Sequence, residues 1–185
     1  DPEQVNIILY LGAAYQCVGD DANATATWQR LDDPFSKLMA EGKKWFTNKS
    51  FDQALLWFQA TTRVAPHVRD GWYYTAHAWS NLGASGEALS ALDGALEASN
   101  FKEIAVSQVY LLRGYIYQRI IQPRKLEDAI AAYRTALAFA QNETDITLES
   151  EAHLRLCDAL WWKGESPDVY VPECEQAVAL DPQNL

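Results

Sequence analysis

Residues 34–66 read PFSKLMAEGKKWFTNKSFDQALLWFQATTRVAP. Two amphipathic stretches flank a polar turn, Asn48-Lys49-Ser50, and prolines stand at both ends. Proline fits the first turn of a helix and disfavours helix in the residue before it. The stretch therefore predicts two antiparallel helices, Phe35 to Thr47 and Phe51 to Val64. The first carries a small residue, Gly42, with Trp45 three positions later. The second carries Ala54, with Phe58 four positions later.

The same two slots recur on either side. Gly12 precedes Tyr15, Ala76 precedes Trp79, Gly114 precedes Tyr117 and Cys157 precedes Leu160. In the second helices Ala24 precedes Trp28, Ala88 precedes Leu92 and Ala129 precedes Tyr133. Self-similarity at this period marks stacked units, none of which can bury its apolar face alone. The helices expected are Val5–Val18 with Ala22–Leu31, Asp70–Leu82 with Glu87–Ala98, Ile104–Ile121 with Leu126–Ala140, and Leu148–Lys163 with Tyr170–Leu180. Gly19 is expected to end the first helix and Asp21 to cap the second. No stretch alternates with period two, so no sheet is expected. A small residue in one helix lets its partner approach, and large ones such as Trp79 and Tyr117 are expected to fill the core between hairpins.

Gly42 and Ala76 lie 34 residues apart, the period of the tetratricopeptide repeat with its W-x2-L-G-x2-Y…A-x3-F…P pattern. Ile8-x2-Leu11-Gly12-x2-Tyr15 matches the first half, and Ala54-x3-Phe58 with Pro66 the second. Ala129-x3-Tyr133-x2-Ala136 and Ala177-x2-Leu180-Asp-Pro182 match as well. The chain thus resembles the tetratricopeptide-repeat family over nearly its whole length. The resemblance implies a right-handed α-solenoid of about five antiparallel hairpins, with repeats at approximately 4–33, 34–67, 68–101, 103–142 and 146–182. Three departures stand out: Pro34 arrives early, the fourth unit lengthens around Pro123, and the fifth replaces its small slots with Cys157 and Tyr170.

Composition bounds the function. Hydrophobic residues make up 49 %, too many for a disordered chain. No apolar run reaches the roughly 18–20 residues of a membrane span, so no direct membrane insertion is expected. The net charge of −10 is uneven, with residues 143–185 alone at −8. That balance lacks the basic stripe nucleic-acid binding requires. The acids read first as a solvated surface and second as steering for a basic partner. The opening Asp1 reads as the start of a fragment. The end at Leu180-Asp-Pro-Gln-Asn-Leu185 has no polar capping helix, which predicts either a longer chain or end-to-end self-association.

In the family resembled here, first helices line a concave groove that holds peptides or partner helices. Projecting that face gives Leu9, Ala13 and Gln16, then Met39, Lys43 and Phe46, then Tyr73, His77 and Asn81. It continues through Leu111, Tyr115, Gln118 and Arg119 to Leu154, Asp158 and Trp161. Aromatics beside hydrogen-bonding groups suit protein recognition; packing beneath a loop or neighbouring helix would use the same residues. His153, Cys157 and Cys174 admit three readings: zinc ligands, a disulfide with a Cα separation near ~5.5–6 Å, or small buried hydrophobes. No nucleophile–base–orienter set and no phosphate loop is present, so neither catalysis, a metal nor a cofactor is expected. The function expected is a non-catalytic scaffold that binds a peptide or partner protein. The alternative is a structural or regulatory domain fused to an enzyme or membrane protein, such as a glycosyltransferase or polysaccharide-assembly protein.

Overall fold

The computed structural model describes residues 2–182. They form ten α-helices, and no strand occurs among the described residues. The helices are α1 Pro2–Cys17, α2 Asp21–Trp28, α3 Pro34–Thr47, α4 Phe51–Val64 and α5 Arg69–Asn81. They continue as α6 Ser85–Glu97, α7 Val106–Tyr115, α8 Leu126–Glu143, α9 Ile146–Lys163 and α10 Pro167–Leu180. One π-helical turn, Ile116–Ile120, prolongs α7. Contacts divide the chain after Lys102 into two compact units. The first holds the hairpins α1/α2, α3/α4 and α5/α6; the second holds α7/α8 and α9/α10. The fold is all-α and of the helical-repeat class.

Local chemistry sets the helix ends. Asp33 caps α3 by accepting from the Ser36 amide at 3.2 Å, and Pro34 opens the helix. Those hydrogen bonds from Ser36 hold the Asp33 carboxyl below its ordinary range. The cap of α2 is Asp20, one residue before the position expected, because its carboxylate accepts from the Asn23 amide at 3.1 Å. Asp145 caps α9 through the amides of Thr147 and Leu148.

Helix C-termini close in one repeated way. Gly19, Lys49 and Gly83 in the first unit and Thr144 and Gly164 in the second have left-handed backbones. In each case the next amide returns to the carbonyl five residues back, as in Ser50 to Trp45 at 3.0 Å and Glu165 to Leu160 at 3.1 Å. This is the Schellman motif. Within a hairpin the acceptor is the bulky residue after the small slot: Tyr15, Trp45, Trp79 or Leu160. The motif read as a packing signal also marks the turn. The fourth hairpin breaks the pattern. Its π-helical turn closes with Ile121 donating to Ile116 at 3.0 Å, and the Gln122-Pro123 peptide is cis.

The small slots receive rings. A Cβ on Gly12 would overlap the Trp28 indole, on Gly42 the Phe58 ring, and on Gly114 the Tyr133 ring. Trp28, Phe58 and Tyr133 are fully buried. Trp79 and Tyr117, expected in the core, are only half-buried at its edge. The third hairpin has Ala76 and Leu92 at the equivalent positions, both buried: a bulkier residue in the slot with a smaller filler. Overpacking costs typically 1–3 kcal/mol, so Gly42→Ala is expected to destabilise by about 2 kcal/mol. Adding Phe58→Leu recreates the Ala76–Leu92 pairing. Urea denaturation of both singles and the double should show the double well above the additive sum; simple additivity would reject the pairing.

In the fifth hairpin Cys157 holds the small slot and Cys174 the filler. They are joined as a disulfide with a Cα separation of 5.3 Å. This settles the three readings of His153, Cys157 and Cys174 in favour of a bridge, since the joined sulfurs cannot serve as thiolate ligands. The closed loop spans 17 residues, for which chain entropy predicts about 3 kcal/mol. Changing Cys157 and Cys174 together to serine is expected to lower the unfolding free energy by about that amount, read by chemical denaturation. A loss below ~1 kcal/mol would show that the bridge is dispensable.

The first hairpin docks unlike the others. Consecutive hairpins α3/α4 and α5/α6 meet through α4 against α5, and α7/α8 meets α9/α10 through α8 against α9. In α1/α2, by contrast, α1 lies against α4. Tyr10 packs edge-on to Trp57 at 5.5 Å, and the Gln16 side-chain amide donates to the Leu56 carbonyl at 3.2 Å. Leu9 and Ala13 are buried, sharing a core with Trp57 and Ala60. Leu9, Ala13 and Gln16 were expected on an open groove, and that expectation fails for them; Met39 and Leu111, expected on the same face, are buried as well.

Candidate functional site

Ten of the groove positions divide equally between the two compact units. In the first unit α3 carries Lys43 and Phe46, and α5 carries Tyr73, His77 and Asn81. Contact between these two helices brings Phe46 within 4.8 Å of the His77 ring, and Tyr73 lies 6.0 Å from His77. Phe46 also meets Phe51 and Phe58, at 5.2 and 6.1 Å. Lys43 reaches Tyr74 instead, its Nζ standing 5.0 Å from the ring centre. Tyr74 stacks on Phe58 at 5.2 Å and ties the cluster to the core. Sequence projection passed over Tyr74, although it adjoins Tyr73. Asn81 is exposed and turns its side-chain amide back to the His77 carbonyl at 2.8 Å.

Burial holds the His77 imidazole below the usual histidine range. As pH falls, the unfolded chain takes up a proton near pH ~6.5 while the folded site still resists it. The stability this confers is complete above that pH and drains away as pH drops toward the folded value. A His77→Phe variant is expected to lose less stability than the parent chain between pH ~7 and ~5, read as paired urea midpoints. Equal losses would remove His77 from the account.

In the second unit the π-helical turn carries Gln118 and Arg119, facing Asp158 on α9. Arg119 pairs with Asp158 Oδ2 at 2.6 Å, and Gln118 Nε2 donates to the same oxygen at 2.9 Å. Gln118 Oε1 accepts from the Tyr133 hydroxyl at 2.9 Å. Burial pushes that phenol well above its ordinary pKa. Gln118 is therefore a buried link and not a surface contact. The extra residue in a π-turn shifts which side chains share a face, which the projection from a regular helix misses.

Tyr115 and Trp161 are exposed. Trp161 meets Trp162 edge-on at 5.1 Å, and the Arg124 guanidinium lies 4.1 Å from the centre of the Trp162 ring. Arg124 was not singled out from sequence; the Trp161-Trp162 pair stands out there as one core ring and one open ring, but both are exposed.

A cleft of about 670 Å³ lies elsewhere in the first unit, among Gln59, Thr62, Trp72, Trp79, Glu87 and Ser90. Its walls serve the repeat itself. Trp72 lies against Gly94, and its Nε1 donates to the Pro66 carbonyl at 2.8 Å. Among the described residues no group of three or more His, Cys, Asp or Glu is placed to hold a metal ion. His153 instead bonds Glu173 at 2.6 Å. No described helix is long and apolar enough to cross a membrane.

No family model matches the chain, and no curated protein matches it. Among solved structures it is similar to one described as the crystal structure of MamA protein. The likeness has a TM-score of 0.65 and 17 % identity, covering 99 % of this chain and 94 % of that one. A structure of a MamA mutant aligns at 16 % identity over 96 % of this chain and 97 % of that one, with a TM-score of 0.37. The first likeness supports a tetratricopeptide-like helical-repeat fold for this chain.

Proposed function

We propose that the chain is a non-catalytic scaffold that binds a peptide or partner protein through side chains of its first helices. The observation that carries this reading is the half-buried cluster of Phe46, Tyr73 and His77, with Lys43 over Tyr74. Partly open aromatics flanked by a cation and an amide combine apolar area with orienting polar groups, the composition of interface hot spots. In the second unit the Arg119–Asp158 pair, with the Trp162 ring 5.8 Å from the Arg119 guanidinium, offers similar chemistry, Gln118 acts beneath it, and Tyr115 and Trp161 are exposed. The likeness in fold to a helical-repeat protein agrees with a binding role.

Selection of a displayed random-peptide library on the folded chain tests the reading. Enriched peptides are expected to lose about tenfold or more in affinity, roughly 1.4 kcal/mol, with Tyr73→Ala or Lys43→Glu. Peptides that bind both variants as well as the parent, or no enrichment at all, would set the reading aside.

A further inference from the structure

We infer that the loop between α7 and α8, together with the end of α9, is a docking site for a partner segment in which an acidic residue stands beside an apolar one. The inference rests on the reading of the chain as a peptide-binding scaffold and names the chemistry of one bound segment. Arg124 and Lys125 stand on that loop, and Trp161 and Trp162 on the last turn of α9. All four are exposed, Trp161 by 55 % and Trp162 by 39 %.

The loop is anchored at two points. The Lys125 amide donates to the Tyr117 carbonyl at 3.0 Å, and the Arg124 guanidinium lies over the Trp162 ring, 4.1 Å from its centre. Arg119 approaches the same ring at 5.8 Å. A guanidinium stacked on a ring keeps its N–H edge open. That edge matches a carboxylate through two parallel hydrogen bonds. Holding Arg124 in place beforehand lowers the ordering cost that binding would otherwise carry.

Charge decides what the edge takes. The acids of these elements are already matched: Asp158 pairs with Arg119 at 2.6 Å, and Glu127 and Glu165 both bind Lys163, at 2.8 and 2.7 Å. Asp128 lies in the first turn of α8, where the helix N-terminus stabilises an acid. Among the described residues no carboxylate pairs with Arg124 or Lys125. Two adjacent cations without a counter-charge are an exception in a chain of net charge −10. They create a local demand for negative charge that the chain itself does not meet.

The indoles supply the other half. Trp161 meets Trp162 edge-on at 5.1 Å, so the two rings form one aromatic ledge beside the guanidinium. Tryptophan next to arginine is the composition of interface hot spots. A purely apolar occupant would strip water from Arg124 and give it no partner. An aspartate or glutamate beside a leucine or an aromatic side chain satisfies both the cation and the ledge.

The probe is a short labelled peptide of glutamate, leucine and glycine with both ends blocked, so that every carboxylate it offers is a side chain's. A glutamine-for-glutamate counterpart keeps the apolar groups. Fluorescence anisotropy follows binding to the whole chain. Arg124→Gln and Arg134→Gln remove the same charge from exposed positions of the second unit, and only the first touches the loop. The glutamate peptide is expected to bind, and the glutamine peptide to bind about tenfold more weakly or less. Arg124→Gln is expected to weaken the glutamate peptide about tenfold or more, while Arg134→Gln leaves it within about threefold. Equal weakening by both variants, equal binding of both peptides, or no binding overturns the inference. Such a failure, with library peptides still weakened by Tyr73→Ala, rejects this site and leaves the scaffold reading standing. A library that yields no peptide removes that reading and this site with it.

Discussion

Trp28→Ala is expected to destabilise the chain by about 3–5 kcal/mol, the usual cost of deleting a large buried ring. Trp28 is fully buried, its indole fills the space over Gly12, and its Nε1 donates to the Leu9 carbonyl at 3.1 Å. Leu38, Trp57 and Ala60 share its core, so the ring fastens the first hairpin to its neighbours. Collapse is hindered because the slot beneath is already a glycine with no side chain to swing in. For a domain of this size the loss corresponds to a melting point lower by roughly 10 °C. Trp161→Ala provides the contrast: an exposed indole whose removal should stay within about 0.5 kcal/mol. Equal shifts for the two would show that burial does not separate them.

Tyr133→Ala is expected to cost a similar 3–5 kcal/mol in the second unit, and its partition is informative. The ring lies against Gly114, and the hydroxyl serves the chain Tyr133–Gln118–Asp158. Tyr133→Phe keeps the ring but strands the buried Gln118 carbonyl, at a cost of about 1–3 kcal/mol. The difference between the two variants measures packing alone. Urea midpoints with unchanged slopes would give both numbers. If Phe costs as much as Ala, the polar chain dominates; if Phe is neutral, the hydroxyl bond is absent in solution.

The hairpins were legible because their signal is local. Gly42 and Phe58, or Gly114 and Tyr133, sit in neighbouring helices, and a small-for-large pairing shows in sequence without knowledge of distant contacts. The docking of the first hairpin was not legible. It depends on how the short link before Pro34 swings α1 onto α4, a geometry set by Asp33 in a left-handed conformation. Gln118 misled for a different reason. A glutamine on a regular helix reads as a surface group, and only the π-helical turn and the waiting Tyr133 hydroxyl make burial affordable. The candidate site was half readable: the residue types were visible, but Tyr74 and Arg124 enter through contacts between segments far apart in sequence.

The bridge between Cys157 and Cys174 gives the five hairpins unequal fastenings. Four are held by a side chain filling a gap, an attraction that water supplies and that weakens on cooling. The fifth is held by electrons, and its strength follows the thiol–disulfide poise of its surroundings. Cold or mild denaturant acts on every hairpin, whereas a reductant addresses the last alone. The fifth hairpin is thus coupled to a chemical variable to which the remaining hairpins are blind.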